Sequence, residues 1–470
     1  ATVANKNRAL RQPCESKNSI SLSQGRDIST LLTIVPIADS LSVPRKTIKR
    51  QKLTSRIASN RPSALRIFED IFCFCYLQKS ASKDKKKMST FGGLVEELPG
   101  ISVDRFDGEN LKSTAYFLSH CHTDHMRGLN QNFFLPFLEA RFALTESVSS
   151  ETVIPIDDCS PIIVDYVSSD GSRESVTVLC VSAGHCPGSV MFVFESPIVS
   201  ILYTGDFRIT PGDLRKLKPL HYRAGDRDLP KKFDKIYLDT TFLDKDYREF
   251  PSRQRSLAEI SRSARDWISR DPRNVVVLET AALYGSEFVY MELADSLKKR
   301  VHVRTAVYQS YSRIPELERC ITEDAESTPV HACVPKIPSR LGLKCRPDVG
   351  AENTLTIVPS AVRWRGRDLS KHISEWDPAI ERRFCVCLSM HSSYNELKAF
   401  VDYFEPSAVH GCVESRDRRR NVQDDLDEMT GKRIDDKARE LETNKLGSLR
   451  LNNPKRARVE SKYFSDDSSD

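Results

Sequence analysis

His120-Cys121-His122-Thr123-Asp124-His125 packs three imidazoles and a carboxylate into six consecutive residues. The hexapeptide follows a short apolar run, Thr114–Ser119 (TAYFLS), whose composition predicts a buried strand with the loaded turn at its end. Three of the chain's ten histidines fall in it, a concentration that a polar turn with incidental histidines does not explain. Imidazole and carboxylate together suit Zn2+ or a similar transition metal. One hexapeptide still leaves a coordination shell incomplete, so further donors must come from elsewhere.

Downstream, four more apolar runs end in residues of the same chemical kind. Val176–Ser182 leads to His185 in Ala183-Gly184-His185-Cys186-Pro187-Gly188-Ser189, and Val199–Thr204 leads to Asp206 in Thr204-Gly205-Asp206-Phe207-Arg208. Lys235–Leu238 leads to Asp239, and Phe384–Ser389 leads to His391. Taken singly, His185 reads as a satisfied turn histidine and Asp206 as a capping aspartate. Their recurrence at successive strand ends reverses that reading, because loops at strand ends gather ligands in α/β architectures. Residues 252–270 and 286–300 have helical composition, while Val275–Leu278 and Val301–Val303 read as strands.

The 470 residues allow two to four domains. A hydrophobic content of 39%, a charged content of 29% and a mean hydropathy of −0.43 describe a soluble globular chain with polar flanks. No run reaches the 18 or so apolar residues a spanning helix needs, so no membrane partner is expected. The net charge of +6 is unevenly distributed: residues 1–87 carry 18 Lys+Arg against 6 Asp+Glu, which leaves 53 against 59 for residues 88–470. A nucleic-acid partner would therefore meet a local basic lining and bound metal, not a global positive field. Thirteen scattered cysteines, an odd number, argue against a disulfide framework and for a reducing compartment.

Asp104 in Ile101-Ser102-Val103-Asp104-Arg105-Phe106, the H-x-H-x-D-H hexapeptide, the Gly184-His185 turn and the Gly205-Asp206 turn resemble, in that order, the ligand motifs of the metallo-β-lactamase superfamily. Leu238-Asp239-Thr240-Thr241-Phe242 and Leu388-Ser389-Met390-His391-Ser392-Ser393 resemble motifs A and B of the β-CASP nucleases within it. The resemblance spans residues 88–413 and leans toward the DNA-end-processing members through Met88-Ser89-Thr90-Phe91, Ser102–Leu111 and Gly184–Phe192. It implies an α/β fold, a metallo-β-lactamase αββα sandwich with an inserted β-CASP domain. The segments it implies are a basic low-complexity extension at 1–87, a first lactamase-like part at 88–243, the β-CASP domain at 244–388, a return segment at 389–413 and a charged disordered tail at 414–470.

The roles implied by the resemblance are specific. His120, His122, His185 and Asp206 hold a first metal; Asp124 and His125, with Asp206 bridging, hold a second. Asp104 orients the cluster from outside it, Asp239 fixes metal or water geometry, and His391 protonates the departing 3′-oxygen. The implied cofactors are one or two catalytic Zn2+ and one structural Zn2+, with Mg2+ or Mn2+ as activity-supporting alternatives. The implied activity is a DNA endonuclease that opens hairpins and trims overhangs in non-homologous end joining. Its implied substrates are single-strand/duplex junctions, its implied partners a DNA-dependent protein kinase and an end-joining ligase complex, and its location the nucleus. A 5′-exonuclease of the same family and a small-molecule metallo-hydrolase are the competing readings.

Several segments stay open at this level. From spacing alone His302, His331, Cys333 and Cys345 read as buried cysteines with unrelated histidines, since no Cys-x-x-Cys occurs; the resemblance implies a closed structural zinc site instead. His410 sits where one register makes it a metal ligand and another, placing Val413 there, makes it an ordinary aromatic position. Residues 1–87 read as an extension ahead of a start at Met88, as a transit segment, or as a disordered basic arm. Beyond Val413 the likeness fades, leaving the closing strand and helix of the fold in question and the tail as disordered or at most an isolated helix. Asn453-Pro454-Lys455-Arg456-Ala457-Arg458 resembles a nuclear import signal.

Overall fold

Continuous apolar runs such as Val190-Met191-Phe192-Val193-Phe194 form central strands, because a strand covered on both faces needs no polar alternation. The computed structural model describes residues 90–120, 122, 124–128, 160–280, 285–312, 314–333, 343–415 and 420–431, with the backbone of Thr30–Ile34 and Val153–Asp157. A six-stranded sheet runs in the order Ala408–Gly411, Lys235–Leu238, Ser200–Tyr203, Val190–Glu195, Arg173–Ser182, Ile162–Val167. The first three strands are parallel and the remaining pairings antiparallel. A four-stranded sheet, Ile101–Val103, Ala115–Phe117, Thr30–Ile34, Val153–Asp157, shares one core with it. There Phe117 meets Phe194 edge-on, ring centroids 5.0 Å apart. Truncating so enclosed a ring costs about 3–5 kcal/mol.

A seven-stranded sheet has the order Ile321–Thr322, Val301–His302, Val330–His331, Val275–Leu278, Thr354–Pro359, Arg383–Val386, Ser374–Trp376. All its pairings are parallel except that of the edge strand Ser374–Trp376. Helix Arg253–Ile268 starts at Ser252, whose side chain accepts the Arg255 N–H, and buries Leu257, Ile260 and Ala264. Their spacing of three and four puts one apolar stripe against Leu278, Leu355 and Ile357 of the sheet. The chain then returns through Leu388–His391 and helix Tyr394–Phe404, opened by a Ser393/Glu396 capping box. It closes the first sheet by laying Ala408 beside Lys235. The seven-stranded layer is thus an insertion between two neighbouring strands of the six-stranded sheet, in keeping with the α/β fold with an inserted domain that was expected.

Elsewhere the structure adds to the local reading. Within the basic extension, Thr30–Ile34 (TLLTI) is a strand pairing antiparallel with Ala115–Phe117 and Val153–Asp157. A strand needs only five apolar or β-branched residues and a free sheet edge, and charge-rich surroundings conceal that in composition. Past Val413 the chain forms helix Val422–Thr430, whose first residues, up to Leu426, are not isolated. Leu426 is fully buried, Gln423 Nε2 donates to the Val409 carbonyl at 3.2 Å, and a Cβ at Gly411 would collide with Val422. Residues 427–470 separate as a second unit, described only as far as residue 431. The rest of the extension, the rest of the tail and the basic cluster at 453–458 lie outside the described residues. Among the described residues no cysteine forms a disulfide, and no described helix is long and apolar enough to cross a membrane.

Candidate metal centre

The loaded residues converge because each follows a strand of the sandwich, and the return segment reaches the same edge. His120 follows Ala115–Phe117, His185 follows Arg173–Ser182, Asp206 follows Ser200–Tyr203 and Asp239 follows Lys235–Leu238. Gly205 makes the approach of the Asp206 turn to the His120 strand possible: it has φ +52°, and a Cβ there would lie 2.8 Å from Ser119 Oγ. One donor atom from each of His120, His122, His185 and Asp206 lies within 4.8 Å of the others. The same spacing unites Asp104, His120 and His125, and again Asp206, Asp239 and His391. Asp124 belongs to none of these groups; its Oδ2 is 3.9 Å from His125 Nε2.

Hydrogen bonds decide which nitrogen of each ring faces inward. His185 Nδ1 is 2.9 Å from the Met390 carbonyl, which only accepts, so Nδ1 carries the proton and Nε2 keeps its lone pair. The Ser119 hydroxyl donates to Asp104 Oδ2 at 2.6 Å and therefore accepts from His120 Nδ1 at 3.0 Å, freeing His120 Nε2. His125 Nδ1 donates to Asp104 Oδ2 at 2.8 Å, and His391 Nδ1 to Asp239 Oδ2 at 2.8 Å. The inward atoms then gather on Asp206: His125 Nε2 at 3.3 Å, His185 Nε2 at 3.6 Å, His120 Nε2 at 3.7 Å and His391 Nε2 at 3.9 Å.

Electrostatics favour a cation at this point. Burial, reinforced by neighbouring imidazoles, holds His120 and His185 well below the ordinary histidine range, and burial lowers His122 too. Neutral rings with inward lone pairs are ligand-competent. Burial also disfavours charge on His125, yet Asp206 and Asp104 outweigh it and keep its pKa well above the ordinary value. The negative potential that retains this proton is the potential a divalent ion would answer. His120 Nε2 and His125 Nε2 are buried without a hydrogen-bond partner, which fits nitrogens reserved for a metal. Asp104 accepts from Ser119 N, Ser119 Oγ, His125 Nδ1 and Tyr203 Oη, so it is committed to orienting the cluster.

A second cluster lies on the seven-stranded sheet, where His302 and His331 stand opposite each other at paired strand ends. Their Nδ1 atoms are 3.1 Å apart, Cys333 Sγ is 3.3 Å from Cys345 Sγ, and Cys345 Sγ is 3.5 Å from His331 Nδ1. All four donors lie within 4.8 Å of one another. The hydrogen bond from the Cys333 thiol holds Cys345 well below the usual thiol range, with His331 adding to the effect. Two imidazoles and two sulfurs at this spacing could hold a tetrahedral Zn2+. His410 lies away from these groups: it pairs with Tyr237 across the sheet, its ring 5.1 Å from that of Tyr237.

Sequence reasoning passed over the groups that hold the ligands in place. Arg208 donates to the Ser389 carbonyl at 2.8 Å and to the Pro251 carbonyl at 2.9 Å, and it pairs with Glu396 at 3.3 Å, tying the Asp206 turn to the return segment. Its place two residues after Asp206 was the available signal. For Ser119, Tyr203 and the Met390 carbonyl no local signal exists.

Residues 315–417 match the family described as "DNA repair metallo-beta-lactamase". The chain is 36% identical to artemis of Danio rerio over 354 residues, covering 69% of this chain and 53% of that protein. It is 36% identical to human artemis over 344 residues, 68% of this chain and 48% of that protein. Human DNA cross-link repair 1A protein is 29% identical over 323 residues, 66% of this chain and 29% of that protein. The chain therefore spans about half the length of the artemis proteins it matches.

Proposed function

From an artemis-like chain of metallo-β-lactamase type, we propose a zinc-dependent DNA phosphodiesterase that cuts endonucleolytically at single-strand/duplex junctions, opening hairpins and trimming overhangs during end joining in the nucleus. The observation that carries the reading is the His391–Asp239 pair, delivered 152 residues apart in sequence onto the same Asp206 that the imidazole cluster surrounds. A small-molecule hydrolase needs no such second group. Zn2+ held by His120, His122, His185 and Asp206, with Asp124 and His125 for a second ion, supplies Lewis acidity and lowers the pKa of water from about 15.7 to about 7. Mg2+ or Mn2+ is the alternative activating ion.

The chain's own residues supply the rest. Asp206 and Asp239 outweigh burial and raise His391 to about 9, so its Nε2 carries a proton at neutral pH for the departing 3′-oxygen. Asp239 itself is anchored by Thr241 N at 3.0 Å and Thr241 Oγ1 at 2.6 Å, which fixes the ring it supports. His302, His331, Cys333 and Cys345 form the structural zinc site, with no position left for substrate. A DNA-dependent kinase and an end-joining ligase complex are the partners that accompany this reading. Metal analysis with cleavage of 5′-blocked hairpin and overhang DNA, RNA and a chromogenic β-lactam tests it. Metal-dependent scission of the blocked DNA is expected; attack only on free 5′ ends, or on the lactam, overturns it.

A further inference from the structure

Around the candidate centre, the outward nitrogens of His120, His125, His185 and His391 each end on a named acceptor: Ser119 Oγ, Asp104, the Met390 carbonyl and Asp239. His122 is the exception. Its Nδ1 faces His185 Nε2 at 3.2 Å, so its outward atom is Nε2, and that atom is buried with no hydrogen-bond partner. A carboxylate with the complementary deficit lies nearby. Glu287, first residue of helix Glu287–Leu297 in the inserted layer, is 5% exposed, and its Oε2 is buried and unpartnered. Its Oε1 is already taken, by Gly285 N at 2.9 Å and by the Tyr311 hydroxyl.

Gly285 joins the two. It adopts φ +101°, and a Cβ there would stand 3.5 Å from His122 Nε2 and 3.4 Å from His122 Cε1, while its N–H binds Glu287. Among the charges acting on His122, that of Glu287 pulls hardest. A buried donor without an acceptor and a buried acceptor without a donor each carry a desolvation penalty. One water bridging the two removes both.

We propose that Glu287 is the positioning residue of His122: its Oε2 accepts the His122 Nε2–H through one water, and so presents Nδ1 to the metal. The inference rests on the reading of His122 as a ligand. It makes the inserted layer a contributor to the geometry of the centre, so that displacing the helix at Glu287 displaces a ligand.

The test uses the full chain with 15N-labelled histidine and Zn2+ as probe, the His122 signal being assigned by its loss in His122→Gln. An Nε2–H tautomer with a slowly exchanging proton is expected in the Zn2+-loaded chain, where His122 Nδ1 and His185 Nε2 both turn lone pairs to the ion, and an Nδ1–H tautomer in the loaded chain overturns the proposal. In Glu287→Gln the amide oxygen still serves Gly285 and Tyr311, but an N–H now opposes His122. Chelator competition is expected to show a Zn2+ affinity lowered by about 10- to 100-fold at the histidine–Asp206 centre. Binding at the His302–Cys345 cluster should hold. Unchanged affinity at the first centre overturns the proposal. Should the wild-type chain bind no Zn2+ that His122→Gln removes, the metal reading fails and this proposal with it, whereas Zn2+ bound through His122 with unchanged affinity in Glu287→Gln overturns the proposal alone.

Discussion

Asparagine at position 104 tests the framework behind the centre with the least change in shape. Asp104 has φ 55°, a left-handed conformation that asparagine tolerates, so the backbone adds little strain. Its Oδ2 receives Ser119 Oγ, His125 Nδ1 and Tyr203 Oη at 2.6, 2.8 and 2.9 Å, and its Oδ1 receives Ser119 N at 2.7 Å. The better amide orientation keeps oxygen on the three-donor side and turns NH2 toward the Ser119 N–H. One charge-assisted bond is lost and a buried donor is left facing another, which together cost about 3 kcal/mol. His125 and Ser119 also lose the charge that aligns them, and through Ser119 so does His120. Urea unfolding of metal-free Asp104→Asn should show that loss of stability, and chelator competition should show metal affinity reduced by about 10- to 100-fold. Stability within about 0.5 kcal/mol of the parent with unchanged affinity would refute the assignment of Asp104 as the organiser.

Asp206→Ala or His122→Ala should remove cleavage of hairpin DNA by on the order of 10³-fold or more, about 4 kcal/mol of barrier, while the purified variants keep their far-ultraviolet circular dichroism. Near-parental rates from either would sink a metal mechanism. Cys333→Ser or Cys345→Ser should lower melting temperature and zinc stoichiometry together, since metal binding contributes to folding; unchanged zinc by atomic absorption would return both to buried thiols. His391 is raised to about 9, so the proton donor is present below that pH and lost above it. The rate should fall as pH rises toward about 9, earlier if a bound cation draws the pKa down, and Asp239→Asn should move that alkaline limb to lower pH; an unmoved limb argues against His391 as the acid.

The places where donors could stand were written locally. An apolar run followed by histidine or aspartate is a strand with a loaded end whatever the rest of the chain does, and the runs before His120, His185, Asp206 and Asp239 needed no tertiary information. The helix from Ser252 was equally local, declared by helical composition over 252–270. Thr30–Ile34 was not, because five residues of modest apolarity become a strand only where a sheet edge accepts them. The same holds for the start of helix Val422–Thr430, where Val422 and Gln423 meet Gly411 and Val409 of the sheet, and for His410, which the sheet pairs with Tyr237. Composition counts charges and cannot see the surface that will cover a helix. Above all, the chain order left the imidazoles without orientations. Which nitrogen of His185 faces the centre depends on a carbonyl 205 residues away, and the partner of His391 lies 152 residues away. Such contacts follow from the stacking of two sheets and the return of the chain across them, so their geometry exists only once the fold has closed.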